Sequence, residues 1–289
     1  MNGKSLNAFT TKFLIILIAI IAMSQTPSMV SAQTDLSAGD LAIIGYDADA
    51  DSIMFIAWVD LAPGTVIYFS DRGYRAAGFS TESFGEGVLT WTAGAAVQRG
   101  TPVTLTDLLS GGAVSASTGT VTRSVADFSL SAGGDQVFAY QGNIDPDHMD
   151  AVLLYGIHMN NTAWDTSLAG SPLEGESELP AALNSATLNM VLTAERDNAY
   201  YSGVRNNQSS GTDYQAQVTN NANWTSDNST LISSWTTTQF LTPTAVTLSN
   251  TATTSGTNWI IALITVSILS AVTAIILRRS EQTLGNPVV

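Results

Sequence analysis

Short segments rich in β-branched and aromatic residues recur along residues 33–240, and clusters of Gly, Pro, Asp or Asn bound each of them. This pattern is typical of β-strands joined by turns. It predicts strands over residues 40–46, 53–60, 65–70, 87–92, 102–106, 120–125, 136–140 and 151–158. Because no amphipathic helical periodicity separates these segments, the pattern indicates an all-β, β-sandwich-like domain over residues 33–240 rather than a parallel α/β sheet.

Two local signals refine this picture. Residues 53–59 are continuously apolar, which predicts a strand covered on both faces. Residues 62–65 contain Pro63-Gly64, and this pair favours a tight turn because proline presets φ and glycine accepts a positive φ. Beyond residue 160 the strand signal weakens, and we predict only two short helices there, over residues 179–183 and 213–221.

The first apolar run of the chain has the features of a secretory signal. Lys4 and Lys12 precede an apolar run of 11 residues over 13–23, and small residues at Val30-Ser31-Ala32 follow it. Eleven helical residues extend only about 16 Å, too short for a bilayer core of about 30 Å. We therefore predict a signal peptide over residues 1–32, removed after Ala32, rather than an uncleaved anchor.

A second apolar run predicts a membrane anchor. Residues 259–277 contain no charge over 19 positions, and Arg278 and Arg279 follow at once. This length suits a single transmembrane helix, and the arginine pair keeps the tail, residues 278–289, in the cytoplasm. Ten threonines fall within residues 236–258, so we predict a Thr-rich stalk over residues 241–258. The predicted protein is a single-pass membrane protein whose N-terminal domain is extracellular.

Charge and cysteine content exclude several function classes. Residues 33–258 hold six arginines and no lysine against 23 Asp and Glu, a formal charge of −17. Such a surface repels phosphate backbones, so we predict no nucleic-acid partner. The chain contains no cysteine, which excludes disulfides, thiolate metal sites and a cysteine nucleophile.

Signatures of catalysis are sparse. The sequence has no Gly-x-Ser-x-Gly elbow, and residues 33–258 lack the lysine of a phosphate-binding loop. The two histidines, His148 and His158, do not have the spacing of a zinc site. Either could serve as the base of a surface hydrolase with an acidic partner, which is the alternative to a non-enzymatic protein.

Two clusters of aspartates are the strongest chemical signal. They comprise Asp47, Asp49 and Asp51 in one predicted loop and Asp145, Asp147 and Asp150 in another. Hard cations prefer several oxygen ligands held in a loop, so both clusters are candidate calcium sites. Ser52 and Trp58 occupy positions where an EF-hand has glycine and glutamate, so the first loop is not an EF-hand. Solvated loop aspartates are the simpler interpretation.

Three tryptophans allow two interpretations. Trp91, Trp164 and Trp224 could form a platform on which a sugar stacks, or they could belong to the core of the sandwich. Large aromatic side chains in a sandwich more often pack inside it.

Several segments spread over the predicted domain resemble a family of secreted bacterial surface modules that has no assigned activity. They are residues 37–46, 55–73, 87–91, 133–140, 197–203 and 222–225. Their strand-turn-strand pattern is also distantly similar to lamin-tail domains, which are Ig-like sandwiches. The apolar span with Arg278-Arg279 resembles the C-terminal sorting tails of bacterial surface proteins, without their Pro-containing motif. These resemblances imply a location and a fold class, and no catalytic residues.

Taken together, these patterns predict a non-enzymatic cell-surface protein that presents a binding or adhesion module to a glycan or protein ligand. A surface hydrolase and a passive envelope component are the alternatives. Its membrane contact is the C-terminal helix, and calcium is the one cofactor that the residues suggest.

The aspartate loop gives a first testable expectation. A cation that binds only the folded chain stabilises it, so millimolar calcium should raise the melting midpoint measured in excess chelator. Thermal melting followed by circular dichroism measures this shift. The triple variant Asp47→Asn, Asp49→Asn, Asp51→Asn should lose it. An unchanged midpoint in the wild type contradicts calcium binding, and a rise that survives in the triple variant places the ion elsewhere.

Overall fold

The computed structural model describes residues 32–75, 78–79, 86–108, 113–125, 128–142, 144–145, 148–149, 151–159, 162–168, 175–206, 208, 210–228 and 235–240. The predicted stalk, membrane span and tail lie outside these residues, as does the predicted signal peptide except for Ala32. Within the described residues, none of the helices has the length and apolar character needed to cross a membrane.

The described chain consists mainly of short strands. In chain order they are β1 (Leu41–Asp47), β2 (Ser52–Ala57), β3 (Val66–Ser70), β4 (Tyr74–Arg75), β5 (Gly78–Phe79), β6 (Val88–Thr92), β7 (Pro102–Thr106), β8 (Ser115–Ala116), β9 (Thr120–Val125), β10 (Gln136–Gln141), β11 (Ile144–Asp145), β12 (His148–Met149), β13 (Val152–His158), β14 (Asn189–Val191), β15 (Asn198–Tyr201) and β16 (Trp224–Asp227). The α-helix α1 (Gly211–Val218) and two 3-10 turns, Ala181–Leu183 and Asn221–Asn223, complete the elements.

Two six-stranded sheets dominate the architecture. The first has the order β16-β15-β1-β2-β7-β8, and the second has the order β14-β13-β10-β3-β6-β9. Neighbouring strands are antiparallel except for β13 and β14, which are parallel. Two ribbons, β4-β5 and β11-β12, extend from the sheets. The all-β prediction is confirmed.

Each of the eight predicted strands has a counterpart in the structure. Strand β2 ends at Ala57, earlier than predicted, although the backbone N–H of Trp58 still bonds the carbonyl of Asp40 at 2.8 Å, in continuation of the pairing between Leu41 and Ala57. The predicted turn is present, with Thr65 N–H bonded to Ala62 and Gly64 at a φ of 84°. Strands β14, β15 and β16 were missed because they are only three or four residues long, too short for a period-two pattern to stand out.

The two sheets pack face to face around aromatic side chains. Phe55 of β2 lies 4.9 Å from Phe69 of β3 and 5.2 Å from Trp91 of β6, measured between ring centroids. All three are fully buried. Aromatic contacts of this kind contribute beyond the burial of apolar area, and they join the central strands of the two sheets.

A second layer covers strands β1 and β2 on the side away from Phe55. Helix α1 begins where the Ser210 hydroxyl accepts a hydrogen bond from the N–H of Asp213, an N-cap that satisfies one of the free donors of the first turn. The helix places Tyr214 in parallel stacking with Trp58, with ring centroids 5.6 Å apart. Every residue of β1 and β2 is consequently buried.

Phe240, the last described residue, completes this layer. Its ring contacts Trp58 and Tyr214 edge-on at 5.3 and 5.1 Å, and it is 3% exposed. Its N–H donates to the carbonyl of Gly100 at 2.8 Å. Gly100 has a φ of 78°, and a Cβ there would overlap the carbonyl oxygen of Phe240, so this close approach requires glycine. The described part of the chain therefore ends at a residue anchored in the core.

We expect Phe240→Ala to lower the free energy of unfolding by about 3–5 kcal/mol, because it leaves a cavity among Trp58, Tyr214 and Gly100. Urea unfolding followed by tryptophan fluorescence measures this change. Val152→Ala, at a side chain that is 45% exposed, should change stability by less than about 0.5 kcal/mol. Equal stability of the two variants would mean that Phe240 does not close the core.

Candidate functional site

Asp47 closes the turn between β1 and β2. It is 3% exposed, and its Oδ1 accepts a hydrogen bond from the N–H of Ala50 at 2.9 Å. The hydroxyl of Ser52 donates to the carbonyl of Ala50 at 2.9 Å. An aspartate that bonds the backbone a few residues ahead stabilises a turn, so the structure gives this carboxylate a local architectural role.

Asp49 and Asp51 bond to different neighbours. The side-chain amide of Asn198 donates to Oδ2 of Asp49 at 2.9 Å, whereas the N–H of Leu130 donates to Oδ1 of Asp51 at 3.0 Å. Burial raises the pKa of Asp51, and the negative charge of Asp47 adds to the rise. Asp51 also adopts a φ of 41°, which aspartate tolerates better than most residues. Asp49 and Asp51 thus tie the loop to two separate parts of the domain.

The second predicted cluster falls largely outside the described residues. Asp145 lies on β11, and Asp147 and Asp150 are not described. Among the residues that are described, no group of three or more His, Cys, Asp or Glu side chains is arranged to hold a metal ion. Calcium binding stays a prediction for the melting experiment to decide.

Other acids lie beside the 47–51 loop. Asp47, Asn198 and Asp227 are in register across β1, β15 and β16, so these strands end at one edge of the first sheet. The pKa of Asp197 is raised by burial, by a hydrogen bond and charge from Glu195, and by the charges of Asp49 and Asp227. The sequence did not indicate this group because its members lie about 150 residues from the loop and meet only through strand pairing.

A buried set of three carboxyl groups lies at one end of the second sheet. Asp71 follows β3, whereas Glu86 and Asp135 precede β6 and β10. Because β3 is antiparallel to both β6 and β10, its end meets their beginnings at the same edge. Asp71 and Asp135 are each 1% exposed and Glu86 is 6% exposed.

Backbone donors hold these carboxyl groups in place. Asp71 accepts from the N–H of Gly87 at 2.6 Å and of Ser129 at 2.9 Å. Asp135 accepts from the N–H of Ser131 at 3.0 Å and of Gln136 at 2.7 Å. Burial raises the pKa of both Asp71 and Asp135 well above the ordinary range, and the charges of their carboxyl neighbours raise it further. The group joins loops rather than facing a ligand.

The two histidines lie on different strands. His148 lies on β12, and His158 ends β13 fully buried, with its Nε2 3.9 Å from Oδ2 of Asp165. Burial lowers the pKa of His158, although the Asp165 carboxylate opposes this shift. The N–H of the buried Ser177 bonds the same Asp165 oxygen at 2.9 Å. The Ser177 hydroxyl, however, accepts from the N–H of Tyr74 at 2.9 Å and donates to the carbonyl of Glu178 at 3.1 Å.

The tryptophans do not form a shared platform. Trp91 is fully buried between the sheets, so the packing interpretation is confirmed for it. Trp164 packs against His158 and Phe138, and Trp224 packs against Tyr201. Each indole N–H already has an acceptor: Thr118 O, Asn189 Oδ1 and Val218 O respectively.

A cleft of about 440 Å³ opens where the turn after β15 faces residues 236–239. We call it the Arg205 cleft. Its lining includes the hydroxyl and amide side chains of Ser202, Asn206, Thr236, Thr238 and Gln239. Tyr200 and the half-buried Arg205 also line it, and no acidic residue belongs to this lining.

Arg205 is held in place by neutral groups. Its Nη2 donates to the carbonyl of Tyr201 at 3.0 Å and its Nη1 to the carbonyl of Thr238 at 3.2 Å. The guanidinium carbon lies 4.7 Å from the centroid of the Phe240 ring. Burial lowers the pKa of Arg205 to about 10. Over the described part of the chain, no carboxylate makes an ion pair with this side chain.

The floor of the cleft is rigid. The hydroxyl of Tyr201 donates to the carbonyl of Val204 at 2.9 Å, and the N–H of Ser202 donates to the carbonyl of Asn223 at 2.8 Å. A Cβ at Gly203 would lie 2.6 Å from the Tyr201 hydroxyl oxygen, so the turn fits only glycine. The sequence contains one feature from which this site could have been predicted: Arg205 is one of few cations in a stretch that contains no lysine.

No known protein family, curated protein or solved structure matches this chain.

The buried carboxyl group predicts an unusual pH dependence. Folded Asp71 and Asp135 hold protons at a pH where the unfolded chain has released them, so the free energy of unfolding should fall as pH rises above about 4. Each proton that the folded state retains lowers the free energy of unfolding by about 1.4 kcal/mol per pH unit. Glu86→Gln removes a charge that raises both pKa values and should flatten this fall. Urea unfolding at a series of pH values measures both slopes.

The exposed Asp35→Asn serves as the control, because it removes the same charge away from the group. The lowered pKa of His158 works in the opposite sense, costing stability as pH falls below about 6.5. This contribution is common to wild type and variants, so it cancels in their comparison. Identical pH slopes for wild type and Glu86→Gln would contradict the prediction.

Proposed function

We propose that the chain is a non-enzymatic cell-surface protein whose β domain presents a binding module at the cell boundary. One observation carries this proposal: the Arg205 cleft is lined by hydroxyl and amide groups around a cation that has no carboxylate partner in the described residues. Hydroxyls, amides and a guanidinium recognise ligands by hydrogen bonding, and none of them is an activated nucleophile or base.

The buried carboxyl, imidazole and hydroxyl groups that the structure describes in detail are committed to the fold. Asp71, Glu86 and Asp135 are buried, and backbone N–H groups bond each of them. His158 is buried, and the hydroxyl of Ser177 bonds the backbone on both sides. A surface hydrolase that used His158 would need the imidazole within reach of a substrate. These placements favour binding over hydrolysis.

The surface location rests on the sequence. The predicted signal peptide over residues 1–32 directs the domain out of the cell, and the predicted stalk, span and tail over residues 241–258, 259–277 and 278–289 attach it to the membrane. The docking of Phe240 at the end of the domain suits this arrangement, since a load applied through a stalk would reach a residue packed in the core.

Protease treatment of intact cells that express the chain tests this topology. An epitope placed near residue 100 should be removed, because we expect the domain to lie outside. An epitope placed after Glu281 should survive, because we expect the tail to lie inside. Immunoblotting before and after cell lysis compares the two.

Protection of the first epitope, or loss of both in intact cells, would overturn the surface location. Turnover of an ester, peptide or glycan that disappears in a His148→Ala, His158→Ala double variant would instead support the surface hydrolase. Absence of any ligand on a glycan array and in cell-binding assays would support a passive envelope component.

A further inference from the structure

Arg205 is a half-buried cation in a strongly acidic domain, and this combination is physically unusual. Residues 33–258 carry a formal charge of −17, yet Arg205 has no carboxylate partner among the described residues. Removing a guanidinium from water costs free energy, and an anion is the partner that best offsets this cost. The side chain therefore provides a place for an anion that the described chain does not itself supply.

The neighbours of Arg205 position the guanidinium without neutralising it. Two of its five N–H donors are used by the carbonyls of Tyr201 and Thr238. The ring of Phe240 supports it at 4.7 Å, an attraction that leaves the charge in place. Three donors remain for a ligand in the cleft, and a planar guanidinium binds carboxylates particularly well because its donors can match both oxygens.

The rest of the lining narrows the class of ligand. Ser202, Thr236 and Thr238 offer hydroxyls, and Asn206 and Gln239 offer amides. Hydroxyls and amides each provide both donors and acceptors, which is the complement of a ligand that carries many hydroxyl groups. The cleft of about 440 Å³ falls in the range of small-molecule sites, about 300–1,000 Å³.

We propose that the Arg205 cleft binds a carboxylated sugar, such as a hexuronic acid of a short oligosaccharide. The carboxylate pairs with Arg205, and the sugar hydroxyls bond the hydroxyl and amide side chains of the lining. This inference rests on the proposed binding function and names the ligand class of the same site. A peptide carboxylate fits less well, because most of the lining residues carry hydroxyl or amide side chains and none is an aliphatic residue that would form a pocket for a peptide side chain.

Digalacturonate and its dimethyl ester are matched probes, because esterifying both carboxylates keeps the hydroxyls and removes the charge. Saturation-transfer NMR titrations of the full chain in mild detergent compare them. We expect the acid to bind at least about tenfold more tightly than the ester, since a charge-assisted bidentate pair is replaced by neutral hydrogen bonds. Propionate, a carboxylate without hydroxyls, should bind more weakly than digalacturonate.

Two variants test the residues. Arg205→Gln should reduce the affinity for the acid to that for the ester. Asn206→Ala, at an exposed position, should weaken binding of the acid and the ester alike by about threefold, through loss of a hydrogen bond. Arg123→Gln is the control, because Arg123 also bonds two backbone carbonyls, those of Leu108 and Asp107, and does not line the cleft. It should leave binding unchanged.

Several results would overturn the inference: no binding of digalacturonate, equal binding of the acid and the ester, equal binding of propionate, or full affinity in Arg205→Gln. If Arg205→Gln does not fold, the inference is still tested by the ratio of wild-type affinities for the acid and the ester, and by the affinity of Asn206→Ala for both. If protease removes the epitope near residue 100 and the glycan array finds a ligand other than a carboxylated sugar, the proposed function stands and this inference is overturned. Protection from protease would remove the surface location, while the binding measured in detergent would still test the cleft.

Discussion

Strands β1 and β2 form a pair in which every residue is buried, so both faces of the pair must be covered. This constraint organises the domain. One face packs against the second sheet through Phe55, Phe69 and Trp91. The other face requires a further layer, which helix α1 and Phe240 supply from the last part of the described chain. A chain without cysteine depends on such apolar burial, since no disulfide restricts its unfolded state.

One end of the sandwich is closed by polar groups. Carboxylates of Asp47, Asp51, Asp71 and Asp135 accept backbone N–H groups of neighbouring loops, which satisfies donors that would otherwise be buried without partners. Burying like charges near one another is costly, and the raised pKa values of Asp71 and Asp135 express this cost. Asp47, Asp71, Glu86 and Asp135 are buried, so these members of the acidic composition serve the architecture.

The Arg205 cleft is a consequence of the same covering layer. Phe240 must reach the rings of Trp58 and Tyr214, and in doing so it brings residues 236–239 opposite the turn after β15. Arg205 then packs over Phe240 and bonds carbonyls on both sides of the gap. The cleft thus lies between two segments that the core holds in position. A rigid site of this kind loses little conformational entropy on binding, which suits recognition of a small polar ligand.

Local patterns in the chain were enough to indicate the all-β class, the eight longer strands and the turn at Pro63-Gly64, because side-chain periodicity and turn chemistry act over a few residues. They did not reveal β15 and β16, whose four-residue sequences form strands by pairing with β1 and with each other. The approach of Asp71, Glu86 and Asp135 depends on the antiparallel order of β10, β3 and β6. The pairing of Arg205 with Thr238 likewise depends on where Phe240 docks. These contacts join residues that are far apart in the sequence and form only when the core packs, so no local sequence pattern predicts them.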